Sequence, residues 1–227
     1  MGRVRDDPRN PDPGFARLYS RLPDAVDLEP WLGLARAARP PVLYLGAGAG
    51  RLAVPLAEAG IELVLVDAHP GMAAQLSQRL PGAEVHLALI EELDLGRSFD
   101  LVLVPSNILE TQSLLEAAAR QLGAGGRLAF ELTNPHWLVA GGSERFRVLQ
   151  LDRQAARIEV DYPDGTVQEG EVELVWPEAV EAWLAEAGLE LVRMFGQPDA
   201  ELDESPTFYV VARRPAPGSD SGAPRSR

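Results

Sequence analysis

Glycines at alternate positions, directly after a strand-like run, constrain the fold of this chain more than any other feature. Residues 42–45 (Val-Leu-Tyr-Leu) form a short apolar run, which indicates a buried strand. Gly46, Gly48 and Gly50 follow, and a helical pattern covers residues 51–59. Glycine lets the backbone turn sharply and lets a ligand lie against it, and the next helix can hold an anion at its first N–H groups. The segment predicts a ligand-binding loop, although a plain tight turn would use the same residues.

The pattern around this loop alternates between strands and helices. Short apolar runs predict strands at residues 42–45, 61–66, 84–87, 100–104 and 126–132. Helical spacing of apolar residues predicts helices over 51–59, 72–80 and 109–122, after an interrupted helical pattern over 15–38. Because helices separate the strands, we expect βαβ units in a parallel sheet with right-handed crossovers.

The alternation stops after Asn134-Pro135. Strands are then predicted at residues 145–151, 157–162 and 167–176, with Asp164-Gly165 as a hairpin signal. With no helix between them, these strands should pair antiparallel and form an insertion over about residues 143–176. A helix over 177–187 and strands at 189–195 and 207–213 should then add an antiparallel hairpin to the sheet.

The length and composition indicate one globular domain with a tail at each end. The chain has 227 residues, of which 46% are hydrophobic and 24% charged. Residues 1–14 are rich in proline and aspartate, and residues 215–227 are rich in proline, glycine and serine. We therefore expect flexible tails at 1–14 and 215–227 and a folded domain over 15–214.

Residue types that are absent exclude several chemistries. There is no cysteine, and each of the 21 basic residues is arginine. This excludes thiol nucleophiles, cysteine-ligated zinc, Schiff-base lysines and the P-loop lysine. The 3 histidines form no helical pair, so no metal site is predicted.

The charge and hydropathy pattern also limits the partners. A formal charge of −13 disfavours nucleic acid as a partner. No apolar stretch approaches the ~18 residues that a membrane helix needs, and residues 1–14 lack the apolar core of a signal peptide. We expect a cytoplasmic protein without membrane contact, and the sequence leaves its oligomeric state open.

Asp67 strengthens the case for a nucleotide-like ligand. It ends the second predicted strand, 21 positions after Gly46, where a carboxylate can accept the hydroxyl groups of a ribose. The alternative is a helix cap before Pro70-Gly71. A dinucleotide motif would require a small residue where Arg51 stands, so a nicotinamide-dependent oxidoreductase is the weaker alternative.

The G-x-G-x-G loop and the order of the elements after it resemble the class I S-adenosylmethionine-dependent methyltransferases. The resemblance runs from about residue 15 to 213 and is carried by residues 45–51, 66–72, 99–107 and 122–135. It implies a Rossmann-like α/β fold with a mostly parallel seven-stranded sheet and an antiparallel C-terminal hairpin. The insertion resembles the antiparallel β lid of small-molecule N-methyltransferases. The implied activity is methyl transfer from S-adenosylmethionine to a small molecule by in-line displacement.

The resemblance also assigns cofactor contacts. Gly46, Gly48 and Gly50 would line the methionine part of the cofactor, and Asp67 would bind its ribose. Met72 would pack on the adenine, unless it is a core residue. Further cofactor contacts are implied at Ala47, Ala68, Leu89, Ile90, Pro105 and Tyr19. For Tyr19, which would close over the cofactor carboxylate, packing on its own helix is the alternative.

Candidate acceptor-side residues follow the fourth and fifth predicted strands. Ser106 and Asn107 would face the sulfonium and the acceptor. Glu131 is a carboxylate on an otherwise apolar strand, so it is a candidate for contact with the acceptor, as is Trp137. His136 is the candidate general base, with a solvated loop histidine as the alternative. His69 and His86 are expected at the surface.

The chain departs from the family pattern at two places. Tyr44 stands where an acidic residue usually contacts the amino group of the cofactor. Ala88 and Leu89 stand where Gly-Asp usually binds the adenine, although Glu91 or Glu92 could substitute. These departures motivate the alternative of a degenerate methyltransferase fold that serves as a binding or scaffold module.

Overall fold

The structure, a computed structural model, describes residues 2–197 and 200–216. The strands are β1 (Arg3–Arg5), β2 (Val42–Leu45), β3 (Leu63–Asp67), β4 (Glu84–Leu87), β5 (Phe99–Val104), β6 (Leu122–Thr133), β7 (Phe146–Leu151), β8 (Ala155–Asp161), β9 (Val167–Glu173), β10 (Glu190–Phe195) and β11 (Thr207–Arg213). The α-helices are α1 (Pro13–Tyr19), α2 (Trp31–Arg36), α3 (Ala53–Glu58), α4 (Pro70–Arg79), α5 (Gln112–Arg120), α6 (Pro135–Val139) and α7 (Val180–Glu186). None of the helices in these ranges is long and apolar enough to cross a membrane.

A seven-stranded sheet in the order β10-β11-β6-β5-β2-β3-β4 forms the body of the protein. The strands from β6 to β4 pair in parallel, and β11 pairs antiparallel with both β6 and β10. The predicted Rossmann-like α/β fold with its C-terminal antiparallel hairpin is therefore confirmed. The chain runs outward from β2 to β4 and then returns to β5 on the other side of β2. The carboxyl ends of β2 and β5 thus flank the switch point at which such sheets bind ligands.

Alternating side chains of the sheet strands pack into two cores on its opposite faces. On β2, Leu43 and Leu45 point to the face covered by α5 and α7. Val42 and Tyr44 point to the opposite face, which α2, α3 and α4 cover. Because both faces are buried, the central strands consist almost entirely of apolar residues, as a parallel sheet requires.

A second sheet of four strands, β1-β9-β8-β7, is separate from the main sheet and is called the small sheet below. Strands β7, β8 and β9 pair antiparallel, as the sequence predicts for the insertion. Residues at the start of the insertion and on α6 form a shared apolar cluster, in which the Trp137 ring lies edge-on to that of Phe146 at 5.2 Å. This cluster attaches the small sheet to the carboxyl end of β6.

The N-terminal segment differs from the predicted tail over residues 1–14. Residues Arg3–Arg5 form β1, which pairs in parallel with β9. The Val4 side chain is 6% exposed and packs in one cluster with Phe15 and Met72. A three-residue strand gives too short a pattern to be recognised in a proline-rich sequence, so its partners decide its structure. Most of the predicted tail over 215–227 lies outside the described residues.

We predict that Val4 contributes to stability although it lies close to the chain start. Val4→Ala removes two buried carbon atoms and leaves a cavity, so the free energy of unfolding should fall by about 1–3 kcal/mol in urea denaturation. The matched control is Val26→Ala, because Val26 is 99% exposed, and this variant should change stability by less than about 0.5 kcal/mol. Equal stability of the two variants would contradict the packing of β1 described here.

Candidate active site

The glycine loop lies at the carboxyl end of β2 and is anchored to β3. The N–H of Ala47 donates a hydrogen bond to the carbonyl of Val66 at 3.0 Å. Gly46 has a φ of +71° and contacts the Ile108 side chain so closely that a Cβ would collide with it. Gly48 has a φ of +58°, and a Cβ there would meet no atom within 4 Å. Gly46 thus serves the packing of the loop, whereas Gly48 borders open space that a ligand can fill.

The Asp67 carboxylate connects this loop to the start of α4. One oxygen, Oδ2, accepts a hydrogen bond from the Gly48 N–H at 2.7 Å, and Oδ1 accepts one from the His69 N–H at 2.8 Å. Burial raises the pKa of Asp67, and the two backbone hydrogen bonds oppose that shift. The carboxylate therefore fixes the loop next to a partly exposed edge of the sheet.

His69, rather than Asp67, caps α4, and the expectation that His69 lies at the surface is wrong. Its side chain is 8% exposed, and Nδ1 accepts a hydrogen bond from the Gly71 N–H at 3.0 Å. Nε2 therefore carries the proton and donates it to the carbonyl of Asp12 at 2.9 Å. Because histidine is an uncommon cap, the sequence pattern did not reveal it. The cap also explains why α4 begins at Pro70, earlier than predicted.

The residues assigned to the adenine end lie after β3 and β4. Ala68 and Leu89 are partly buried, and Ile90 begins a short 3-10 turn. Met72 is buried in the cluster that includes Val4, which favours the core alternative for this residue. Glu91, one of the possible substitutes for the missing aspartate, accepts a hydrogen bond from Arg9 at 2.9 Å.

Tyr19 connects α1 to the small sheet. Its hydroxyl lies 3.5 Å from that of Tyr162, which in turn donates to Gln168 Oε1 at 2.8 Å. The guanidinium of Arg51, the residue directly after the glycine loop, lies 6.0 Å from the centre of the Tyr19 ring. Burial raises the pKa of the Tyr19 hydroxyl above its ordinary value. Tyr19 thus lies between the loop and the small sheet.

The loop after β5 joins the main sheet to the small sheet through Glu110, which sequence reasoning missed. Pro105 is buried, and the Ser106 hydroxyl donates to its carbonyl. Asn107 accepts a hydrogen bond from the Thr133 N–H at 2.6 Å and donates one to Glu110. The other carboxylate oxygen of Glu110 accepts a hydrogen bond from the Glu173 N–H, at the end of β9, at 2.9 Å.

Two carboxylates at this edge have strongly shifted pKa values. Burial raises the pKa of Glu110 to about 8, and the charges of Glu173 and Asp6 add to the shift. Asp6 directly follows β1, and although its surface is exposed, desolvation together with the charge of Asp67 raises its pKa to about 6. Asp6 lay in the predicted tail, and nothing local distinguishes Glu110 from a surface residue. No sequence signal could therefore have identified either.

Glu131 and Tyr44 occupy the same face of the sheet. Burial raises the pKa of Glu131 to about 7, and none of the described residues donates a hydrogen bond to its carboxylate. The Tyr44 side chain is 3% exposed, and its pKa is raised by burial and by the charge of Glu131. Tyr44 is therefore a core residue that fills no part of the space above Gly48.

The structure does not bring His136 to the glycine loop. His136 lies on α6, where Nε2 is 3.3 Å from Glu178 Oε2 and the ring stands edge-on to Trp176 at 5.1 Å. The neighbouring Trp137 packs against the small sheet, as described above. In the described part of the chain, these contacts place both residues beside α7 and the insertion, and neither contacts Asp67 or Gly48.

We predict that the Asp67 linkage stabilises the protein through both carboxylate oxygens. Asp67→Asn would direct an amide NH₂ at one of the two N–H donors, so the free energy of unfolding should fall by about 1–3 kcal/mol in urea denaturation at pH 8. Asp152→Asn is the matched control, because Asp152 accepts its two backbone hydrogen bonds on Oδ1 alone and asparagine preserves both. A decrease in the free energy of unfolding for Asp152→Asn as large as that for Asp67→Asn would contradict this role of Asp67.

Comparisons with known proteins agree with this geometry. Residues 42–126 match the family model of a methyltransferase domain. An uncharacterized methyltransferase of Mycobacterium tuberculosis is 34% identical over 156 residues, which cover 66% of this chain and 62% of that protein. The CcbJ methyltransferase from Streptomyces caelestis has a TM-score of 0.67 at 22% identity and covers 89% of this chain and 96% of its own. CalS10, an amino pentose methyltransferase from Micromonospora echinaspora solved with S-adenosylmethionine bound, has a TM-score of 0.61 at 24% identity, over 81% of this chain and 88% of its own.

The family match covers the glycine loop, Asp67 and strands β2 to β5. The chain spans 62% of the length of the mycobacterial relative, and the solved structures, each below 25% identity, share the fold. The matched family model, the relative and the strand order agree with one another. Residues 42–126 of the chain thus match a methyltransferase domain, and the chain shares the fold of S-adenosylmethionine-dependent methyltransferases.

Proposed function

We propose that the protein transfers a methyl group from S-adenosylmethionine to a small-molecule acceptor. The observation that carries the proposal is the Asp67 carboxylate, which fixes the glycine loop at the switch point while Gly48 borders open space. In this arrangement the loop would hold the methionine part of the cofactor, and Asp67 would accept the ribose hydroxyl groups. Bound there, the cofactor supplies an electrophilic methyl group on a sulfonium.

The remaining catalytic task is alignment of the acceptor with that methyl group. Displacement at a sulfonium needs an in-line approach, which a fixed site supplies by holding the two reactants together. The small sheet and Tyr19 lie beside the glycine loop and would exclude water there. The alternative, a scaffold without cofactor binding, is less favoured because the replaced residue Tyr44 is buried in the core and leaves the space above Gly48 open.

We predict that Gly48→Ala abolishes tight binding of S-adenosylhomocysteine in titration calorimetry. A Cβ at this position would fill the space in which the cofactor lies, so affinity should fall at least 10-fold. Gly60→Ala is the matched control, because Gly60 also has a positive φ of +87° and also has no atom within 4 Å of an added Cβ. Both variants carry similar backbone strain of about 1–2 kcal/mol, but Gly60 lies after α3 and away from the loop.

The outcomes of this titration separate the two functions. Wild-type binding in the micromolar range that Gly60→Ala retains and Gly48→Ala loses supports the methyltransferase. If the wild type binds S-adenosylhomocysteine only at millimolar concentration or above, this result contradicts the methyltransferase proposal and favours the scaffold function.

An amine is the acceptor class that the charges favour. Asp6 and Glu110 both lie where the main sheet meets the small sheet, and the negative charge of Asp6 would attract an ammonium group to this place. CalS10, which shares the fold, is an amino pentose methyltransferase. An ammonium must lose its proton before its nitrogen can attack, and Glu110 with a pKa of about 8 is suited to accept that proton.

We predict that Glu110, rather than His136, supports proton removal. In a panel of amino sugars assayed by release of S-adenosylhomocysteine, Glu110→Gln should lower kcat about 10²- to 10⁴-fold, whereas His136→Gln should change it less than 3-fold. Turnover by the wild type should rise from pH 6 to pH 9, because Glu110 loses its proton through a pKa of about 8. A large decrease of kcat in His136→Gln, with little decrease of kcat in Glu110→Gln, would instead identify His136 as the base.

The remaining partners stay predictions of the same proposal. A formal charge of −13 opposes a nucleic-acid acceptor and agrees with a small, neutral or cationic one. A cytoplasmic location stays a prediction from the sequence.

A further inference from the structure

We propose that Glu131 binds the α-ammonium group in the methionine part of the cofactor and thereby replaces the acidic residue that Tyr44 displaces. This inference rests on the proposed function, because it assigns a residue to the binding of the same cofactor. It changes the interpretation of Glu131, which the sequence suggests as a contact of the acceptor.

The strand register places Glu131 level with the glycine loop. Tyr44 on β2 pairs with Leu103 on β5, and Leu103 pairs with Ala129 on β6. Gly46 lies two residues beyond Tyr44 and Glu131 two residues beyond Ala129, so both lie just past the carboxyl side of this row. Because neighbouring strands are about 4.8 Å apart, the backbones of Tyr44 and Ala129, from which these two residues extend, lie two strands, or about 10 Å, apart.

The direction of the side chain also fits. Side chains two residues apart on a strand point to the same face, so Glu131 shares the face of Ala129. Ala129 and Tyr44 pack in the same core cluster, together with Ala47 of the glycine loop. Glu131 therefore extends on the same side of the sheet as the loop, beyond the end of the buried core.

The carboxylate of Glu131 lacks a cation. None of the described residues forms a hydrogen bond or ion pair with it, and it is partly buried without being fully enclosed. The pKa values of the tyrosines near it, Tyr44 and Tyr209, are raised further by its negative charge. A partly buried carboxylate is costly without a positive or hydrogen-bonding partner, and an ammonium group supplies both.

The acidic residue absent at position 44 and the acidic residue present at position 131 have complementary positions. At position 44 a carboxylate is expected, and this chain has a tyrosine that is buried in the core instead. Two strands away, near the end of β6, Glu131 stands between the buried residues Phe130 and Leu132. The negative charge is therefore still present on this face but comes from β6. The carboxylates at the acceptor end, Asp6 and Glu110, do not contribute to the pKa shift of Glu131, which burial alone explains.

Titration calorimetry with a pair of ligands tests the assignment. One ligand is S-adenosylhomocysteine, and the other is its deaminated analogue, which keeps the carboxylate and lacks the ammonium group. Glu131→Gln should weaken binding of S-adenosylhomocysteine about 10- to 100-fold and leave affinity for the analogue within 2-fold, as expected for loss of one charge-assisted hydrogen bond. The wild type should prefer S-adenosylhomocysteine over the analogue by a similar factor. Glu171→Gln, which changes an exposed carboxylate on β9, should behave as wild type with both ligands.

Thermal melting of Glu131→Gln is the folding control. Glutamine is uncharged, so Glu131→Gln should melt no lower than wild type at pH 8, where the buried carboxylate is ionised. Equal weakening of both ligands would overturn the assignment, because it would indicate a structural role. Unchanged binding of both ligands would also overturn the assignment and would favour the alternative that Glu131 contacts the acceptor. If wild type binds neither ligand, the proposed function itself fails, which is a different result from either of these.

Discussion

The bridge that the Asp67 carboxylate forms between two backbone N–H groups is the interaction on which the rest of the site depends. It joins Gly48 in the loop after β2 to His69 at the start of α4. His69 then caps α4 with one ring nitrogen and holds the carbonyl of Asp12 with the other. A single carboxylate thus begins a chain of hydrogen bonds that orders the glycine loop, a helix and the N-terminal segment around one open space.

The N-terminal segment connects parts of the site that are distant in sequence. Strand β1 belongs to the small sheet, whereas α1, a few residues later, packs on the main body beside α4. Between them, Arg9 pairs with Glu91 after β4, and Asp6 lies within electrostatic reach of Asp67 and Glu110. The small sheet is therefore held from both sides, by this segment and by the hydrogen bond from Glu173 to Glu110. The small sheet thus has contacts to the main body on two sides of the candidate site.

The sequence was sufficient for features that depend on local periodicity and was insufficient for those that depend on distant partners. The glycine loop, the parallel strands and the antiparallel hairpin could be predicted because each leaves a pattern within about ten residues. The burial of His69 depends on Asp12, and the strand at Arg3–Arg5 depends on β9, so neither leaves such a pattern. Likewise, Glu110 is buried at the candidate site only because the insertion returns to it at Glu173. Hydrogen bonds between carboxylates and backbone donors that are distant in sequence leave no pattern that a single sequence reveals.

A crystal structure of the protein with S-adenosylhomocysteine tests the central claim most directly. We predict that the ribose hydroxyl groups lie within hydrogen-bond distance of the Asp67 carboxylate and that the homocysteine part lies along Gly46–Gly50, over Gly48. The Asp67 bridge to Gly48 and His69 should persist in that complex. A ligand bound elsewhere, or a ribose that does not contact Asp67, would contradict the account.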